Sequence, residues 1–330
     1  MDIEILRMIW FILIGILFVG YSILDGFDLG VGSLLPVLAK KEEDREVMIQ
    51  SISPLWDGNE VWLLTAGGAL FAAFPLAYAT VFSGFYLALM LVLFALIFRA
   101  VSIEFWKYDD SRKTFWLWTF TLGSLLSSLL FGVAIGNIVY GIPLNSNFDF
   151  DGNFFTLLRP YPLAVGLLGF VAMLLQGSSY TALKSEGDLN ARARVMTSRL
   201  ILVYLFLFII ITVISYILLP EIFTHWALWI FIFLVLTSTI LNIVMIKKEK
   251  DGLTFILSSL SFAGLWGIIG SALFPRLVVS SSGSGHITIH NASSGPLTLY
   301  VMLIIALIGM PIVIGYTIYV YRIFKGKVRI

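Results

Sequence analysis

Nine windows of about 20 consecutive apolar residues, the length that crosses roughly 30 Å of hydrocarbon as a helix, divide this chain into segments joined by short polar turns. They lie at approximately 8–36, 56–74, 77–99, 115–139, 161–183, 200–219, 225–246, 253–274 and 298–323. In lipid a backbone must satisfy its own hydrogen bonds, which long apolar runs do only as helices. The sequence therefore predicts an all-α integral membrane protein. Its composition agrees: 59% of residues are hydrophobic and 12% are charged, against about 25% charged in soluble domains.

The polar turns sort by charge. The first, third, fifth and seventh connections and the C-terminal tail carry 18 of the 21 Lys and Arg residues, leaving only Arg7, Arg159 and Arg276 on the opposite side. By the positive-inside rule this alternation places the N-terminus outside and the C-terminus in the cytoplasm. The expectation is one polytopic unit over 1–330, because no connection is long enough for a soluble domain. The apolar run from Met8 to Leu24 follows Asp2, Glu4 and Arg7 and precedes no small-residue cleavage site, so it reads as a retained helix rather than a signal peptide. The outer stretch from Ser280 to Gly295 reads as a mobile Ser/Gly loop. No basic patch suggests nucleic acid as a partner.

Redox chemistry would need a cofactor, and haem between helices needs axial His or Met ligands. The three histidines, His225, His286 and His290, fall at outer span ends or in the last outer loop, and Met residues inside spans are ordinary packing. The chain has no cysteine, which excludes thiolate-held metals and iron–sulfur clusters. No axial haem ligand is expected here, and a redox cofactor would have to come from a partner.

Carboxylates are the sharper signal. An ionisable group inside a membrane is expensive and marks function by default. Asp25 and Asp28 sit three positions apart in LDGFDLGVG and so share a helix face. Asp25 lies 11 residues before Pro36, roughly 16 Å from the cytoplasmic end at a 1.5 Å rise per residue. Asp57 and Glu60 open the second span, in WDGNEVWLLTAGGALFAA, as the chain re-enters from the same side. Together the four acids read as a ladder for proton uptake, with Asp57 and Glu60 at the mouth and Asp28 then Asp25 deeper. Simpler readings stand beside it. Asp57 and Glu60 favour a helix N-terminus through its dipole, and Asp28 can accept backbone amides where Gly26, Gly30 and Gly32 interrupt and loosen the first span. Gly67, Gly68, Ala69, Ala72 and Ala73 form a small-residue face on which another backbone can pack closely. Arg99 is placed at the cytoplasmic end of the third span, where it snorkels or pairs locally. Asn137, Gln176 and Asn242 read as interhelical hydrogen-bond donors, and Trp56, Trp62, Trp116, Trp118, Trp226 and Trp229 as an interfacial belt.

LDGFDLGVG, WDGNEVW at Trp56 to Trp62, TAGGALFAAFP at Thr65 to Pro75, FSGFY at Phe82 to Tyr86, GNFF at Gly152 to Phe155 and QGSSY at Gln176 to Tyr180 resemble subunit II of the bacterial cytochrome bd quinol oxidases. SSLSFA followed by FP at Phe274 and Pro275 continues the likeness, which spans essentially the whole chain. The resemblance implies two four-helix bundles plus one peripheral helix, in the bacterial cytoplasmic membrane, paired with a subunit I that ligates two haems b and haem d. It implies a complex that oxidises quinol, reduces O₂ to water and draws protons from the cytoplasm, with acids at the positions of Asp25 and Asp57 on the proton route. Small single-span accessory subunits and bound lipids would accompany it. The chain is short between the sixth and seventh spans, where only Pro220 to Thr224 remain outside, so contacts made there by longer relatives do not carry over. The competing readings are a scaffold without a proton role, and a secondary transporter, whose signature of matched Gly/Pro breaks in two halves is missing.

Overall fold

The computed structural model describes residues 2–283 and 285–329. Helices dominate it, and among the described residues eight are long and apolar enough to cross a membrane. These are α1 (Ile3–Leu38), α5 (Tyr86–Tyr108), α6 (Lys113–Tyr140), α7 (Pro160–Lys184), α8 (Gly187–Leu218), α9 (Trp226–Lys247), α10 (Asp251–Leu273) and α11 (Pro296–Ile323). Between α1 and α5 lie a short helix, α2 (Glu42–Ile52), then α3 (Trp56–Ala73) and α4 (Pro75–Gly84). α3 coincides with the second expected span, but its polar opening keeps it below the apolar level of the other eight. The third expected span, 77–99, is broken at Phe85 and continues nine residues past Arg99 to Tyr108.

α1 is the axis of the molecule. Asp2 caps its N-terminus by accepting from the Glu4 amide, and it packs against α3, α6, α7 and α10. Every residue from Asp25 to Leu35 is buried. The glycines of LDGFDLGVG do not loosen it, contrary to the sequence expectation: α1 is one uninterrupted helix. Gly30 serves contact instead. A Cβ placed there would lie 2.0 Å from the Met173 carbonyl oxygen and 2.8 Å from the Gly177 Cα, so α1 and α7 touch backbone to backbone. Gly132 of α6 meets Gly166 of α7 in the same way. Such approaches supply dispersion packing where lipid removes the hydrophobic drive for association. Of the expected contact face, Ala73 is buried and Ala69 packs against the core, whereas a Cβ at Gly67 or Gly68 would meet nothing within 4 Å among the described residues.

The connections gather at two ends. At one, Arg192 reaches the Leu38 carbonyl (2.9 Å) and Asp44 (2.7 Å), Lys113 lies 3.6 Å from Glu42, and Arg194 pairs with Asp251 (2.8 Å). This basic end also holds the C-terminal residues, where the Val328 amide donates to the Lys184 carbonyl (2.8 Å). At the other end, β1 (Arg276–Val278) and β2 (Ile287–Thr288) pair antiparallel. The Ile142 amide donates to the Val279 carbonyl and the Ser281 amide to the Ile142 carbonyl (both 2.9 Å), tying this end to the 141–159 connection. Ser294 donates from its amide to the Ala73 carbonyl (2.9 Å) and from its hydroxyl to that of Ala72 (2.7 Å). The stretch expected to be a mobile loop is thus a tethered hairpin, because its Ser and Asn side chains satisfy helix ends and turns; Ser284 within it lies outside the described residues.

Several polar side chains act as expected. Gln176 donates to Ser259 (2.8 Å) on α10 and Asn242 to the Thr254 carbonyl (3.2 Å). Asn137 donates to the Leu157 carbonyl (2.8 Å) in the 141–159 connection rather than to a neighbouring helix. Trp226 and Trp229 are exposed, whereas Trp62 is packed inward against Gly20, where a Cβ would fall 2.2 Å from its ring. A single missing side chain on α1 takes Trp62 out of the interfacial belt.

Candidate functional site

The site is assembled from α1, α3, α5 and α11. α1 presents Asp25 and Asp28 one turn apart, both fully buried. α3 starts beside this stretch, so its first turns carry Asp57, Asn59 and Glu60 to three different surroundings. α5 passes on the far side and contributes Arg99, whose side chain has no exposed surface.

One nitrogen of Arg99, Nη2, lies 2.8 Å from Asp25 Oδ1 and 2.6 Å from Glu60 Oε1. Asp25 is as buried as Arg99, while Glu60 keeps 25% of its side chain exposed. Glu60 is therefore the edge of the cluster and Asp25 its interior. Beyond these ion contacts, the Arg99 Nε and Nη1, Asp25 Oδ2 and one Asp28 oxygen have no geometric hydrogen-bond partner among the described residues. Such unpaired polar atoms are costly in a dry interior. Their concentration around one guanidinium marks this as the polar heart of an otherwise apolar bundle.

The expectation for Arg99 is corrected here. It neither snorkels nor pairs locally, because α5 runs on for nine residues beyond it, about 14 Å of helix, and its partners come from α1 and α3. Gly123 of α6 helps to seal it in: a Cβ there would sit 2.5 Å from the Ala95 carbonyl oxygen, so α6 lies close over this part of α5.

Asp28 belongs to a second arrangement. Asn59, 2% exposed, donates from Nδ2 to Asp28 Oδ2 (2.7 Å) and to the Leu24 carbonyl (3.3 Å), and its Oδ1 accepts from the Tyr321 hydroxyl (3.1 Å). Phe27, the preceding residue of α1, stacks on Tyr180 with ring centroids 3.9 Å apart. Asp57 stands apart from both groups. It is exposed in this chain, within the first turn of α3, and the residue before the helix, Leu55, provides no side-chain cap. Asp25, Glu60 and Arg99 thus converge, Asp28 joins Asn59 and Tyr321, and Asp57 faces outward with Gly58, Val61, Leu64, Thr65 and Gly68. Asn59 sits inside the WDGNEVW block, where neutral Asn gave no alarm. Tyr321 has no sequence signal, since it reads as one aromatic among many in an apolar span.

His225 is exposed before α9, His286 Nδ1 accepts from the Ser280 amide (3.1 Å), and His290 lies 3.0 Å from Glu4, all at the hairpin end. Among the described residues no group of three or more His, Cys, Asp or Glu is placed to hold a metal ion.

The sequence profile of the family "Cytochrome bd terminal oxidase subunit II" matches residues 6–324. The chain belongs to this family. Related proteins include the probable cytochrome oxidase subunit 2 of Haemophilus influenzae, 36% identical with 99% of this chain and 96% of that protein covered. The cytochrome bd-I ubiquinol oxidase subunit 2 of Escherichia coli K12 is 35% identical over 99% of this chain and 96% of its own length. The Bacillus subtilis cytochrome bd ubiquinol oxidase subunit 2 is 36% identical over 98% and 97%. The bd oxidase structure from Geobacillus thermodenitrificans superposes with a TM-score of 0.83 at 16% identity, covering 97% of this chain and 98% of that one. This bd oxidase subunit II is a multi-pass protein of the bacterial cytoplasmic membrane, part of an oxidoreductase complex that includes a subunit I.

Proposed function

We propose that this subunit carries protons from the cytoplasm toward a haem-bearing subunit I that oxidises quinol and reduces O₂ to water, with two haems b and haem d held by that partner. The single observation that carries the reading is the buried Asp25–Arg99–Glu60 cluster. One guanidinium neutralises one of two carboxylates, so the cluster is neutral when the other carboxyl holds a proton and carries one net negative charge when it has released it. Glu60, at the exposed edge, receives the proton; Asp25, in the interior, passes it on. Asp57 lies at the mouth, and Asp28, held by Asn59, is a further proton-handling carboxyl of the path. In the full topology α3 and the α4–α5 pair cross the membrane along with the other seven helices, in two four-helix bundles and one peripheral helix. The basic end faces the cytoplasm, as its Lys and Arg content supports.

Subunit I is placed on the outward face of α3. Asp57, Gly58, Thr65 and Gly68 recur there at helical spacing, and a carboxylate with bare backbone is unfit for lipid. Small single-span subunits, quinol and lipids would complete the assembly. The deciding experiment is quinol-dependent O₂ consumption with reduced-minus-oxidised haem spectra on the two-subunit complex carrying Asp25→Asn or Asp57→Asn. Intact haem signals with collapsed turnover support the proton role. Loss of haem d along with turnover favours a scaffold role, and normal turnover ends the proton proposal. The transporter reading is disfavoured by α1, which lacks the unwound segment that such binding sites use.

A further inference from the structure

Asp28 receives one side-chain hydrogen bond among the described residues, from Asn59, and its other oxygen receives none. The geometry of this carboxyl group therefore depends on which way the Asn59 carboxamide is turned. Three contacts set that orientation. The NH₂ faces two acceptors, the Asp28 carboxylate and the Leu24 carbonyl, while the oxygen faces the one donor available, the Tyr321 hydroxyl. Without that hydroxyl, Oδ1 would be left unpaired in a site 2% exposed, and a buried acceptor without a partner favours rotation or an inserted water.

Tyr321 comes from the least embedded helix. Of the 28 residues of α11 only Leu299 and Leu303 are buried, both near its start at the hairpin end. Its other end is held by the residues that follow it. The Lys184 ammonium donates to the Phe324 carbonyl (2.6 Å), the Val328 amide to the Lys184 carbonyl (2.8 Å), and the Lys327 ammonium to the Ser185 carbonyl (2.6 Å). Arg329 lies 3.9 Å from Glu186. This C-terminal strap fastens the end of α11 to the turn between α7 and α8, which in turn fixes how far the Tyr321 hydroxyl reaches toward α3.

We propose that Tyr321 is a positioning residue of the proton site, orienting the Asn59 carboxamide on Asp28, and that the C-terminal strap holds it in register. The proposal rests on the reading of Asp28 as a proton-handling group. It makes the last helix part of the uptake machinery rather than a peripheral support, and it ties residues at the extreme C-terminus to turnover.

The test compares Asp28→Asn, Tyr321→Phe and a chain ending at Phe324 in the purified two-subunit complex. Turnover against pH, quinol KM, haem spectra and redox-induced infrared difference spectra in the carboxyl region are recorded for each. Asp28→Asn is expected to lower turnover and remove one carboxyl band. Tyr321→Phe is expected to shift that same band and displace the pH profile, lowering turnover about three- to tenfold, the range of one hydrogen bond, with haem content and KM unchanged. Removal of the strap is expected to reproduce the Tyr321→Phe behaviour. If Asp28→Asn is slowed while Tyr321→Phe keeps the parent band and profile, the positioning role is wrong and the proton reading stands. If Asp28→Asn turns over normally, the proton reading of Asp28 falls and the inference with it. Loss of haem in Tyr321→Phe would make the residue structural and overturn the proposal. A truncated chain indistinguishable from the parent would overturn the role of the strap.

Discussion

Asp25 on α1 and Arg99 on α5 form an ion pair 2.8 Å apart in which neither side chain reaches the surface. Charges so far from water are stable only as partners, because each pays a desolvation penalty that the other offsets. Arg99→Met is therefore expected to destabilise the subunit by about 3–5 kcal/mol, the usual result of stranding a buried charge. Adding Asp25→Asn and Glu60→Gln to it should recover most of the loss. Thermal unfolding of the purified complex measures both, and equal melting temperatures for Arg99→Met and the parent would contradict the pairing.

The glycine contacts predict opposite outcomes on two helices. Gly30→Ala forces a methyl against the backbone of α7, and overpacking of this kind costs about 1–3 kcal/mol or more. Gly68→Leu meets open space in this chain, so the subunit should fold as before while its association with subunit I weakens. Separate measurement of subunit yield and of co-purified subunit I distinguishes the two.

His286 lies outside the helices, in the hairpin region. Burial, with the nearby Arg276 as a second contribution, holds its imidazole below the ordinary value, and Glu221 opposes the shift. The folded state then binds fewer protons than the unfolded one, so acidification destabilises the fold locally. The contribution is fully present above the ordinary imidazole range, about 6.5, and is lost as pH falls from there toward the lower folded value. Protonation also removes the Nδ1 lone pair that accepts from the Ser280 amide. Protection against amide exchange in the hairpin, after correction for the intrinsic pH dependence of exchange, should therefore be lower at about pH 5 than at pH 7, and His286→Ala should flatten that difference.

Asp251 opens α10 and receives Nε and Nη2 of Arg194 (2.8 and 3.0 Å) together with the Asn190 amide (3.1 Å). Charge-assisted, bidentate contacts of this type are the stronger kind. Asp251→Ala is expected to cost about 1–2 kcal/mol, since it removes the bidentate contact and the Asn190 partner while Arg194 keeps Glu249 (2.6 Å). An unchanged melting temperature would show that the α8–α10 contact at the basic end is carried by apolar packing alone.

The helical membrane class and the order of the long segments were legible in the residues themselves, because a lipid core admits few alternatives to helices of about 20 apolar residues. Asp25 and Asp28 were legible for the same reason, as charges where charge is expensive. Arg99 was just as visible in its apolar run, but ending the third span at 99 moved it to the surface. Only the full length of α5 shows that it lies inside. The glycines illustrate the same limit. Composition identifies residues that permit close approach, while the partner decides where approach happens: Gly30 meets Gly177, and Gly67 and Gly68 meet nothing. Spacing along one helix placed the two aspartates on a shared face, yet their partners differ. Those partners are Arg99, 74 positions from Asp25, and the Asn59–Tyr321 pair, which itself joins residues 262 positions apart. Hydropathy and charge are properties of each segment and survive in one dimension. The choice of counter-charge and hydrogen-bond partner depends on which helices the packing brings side by side, and that was decided only by the tertiary structure.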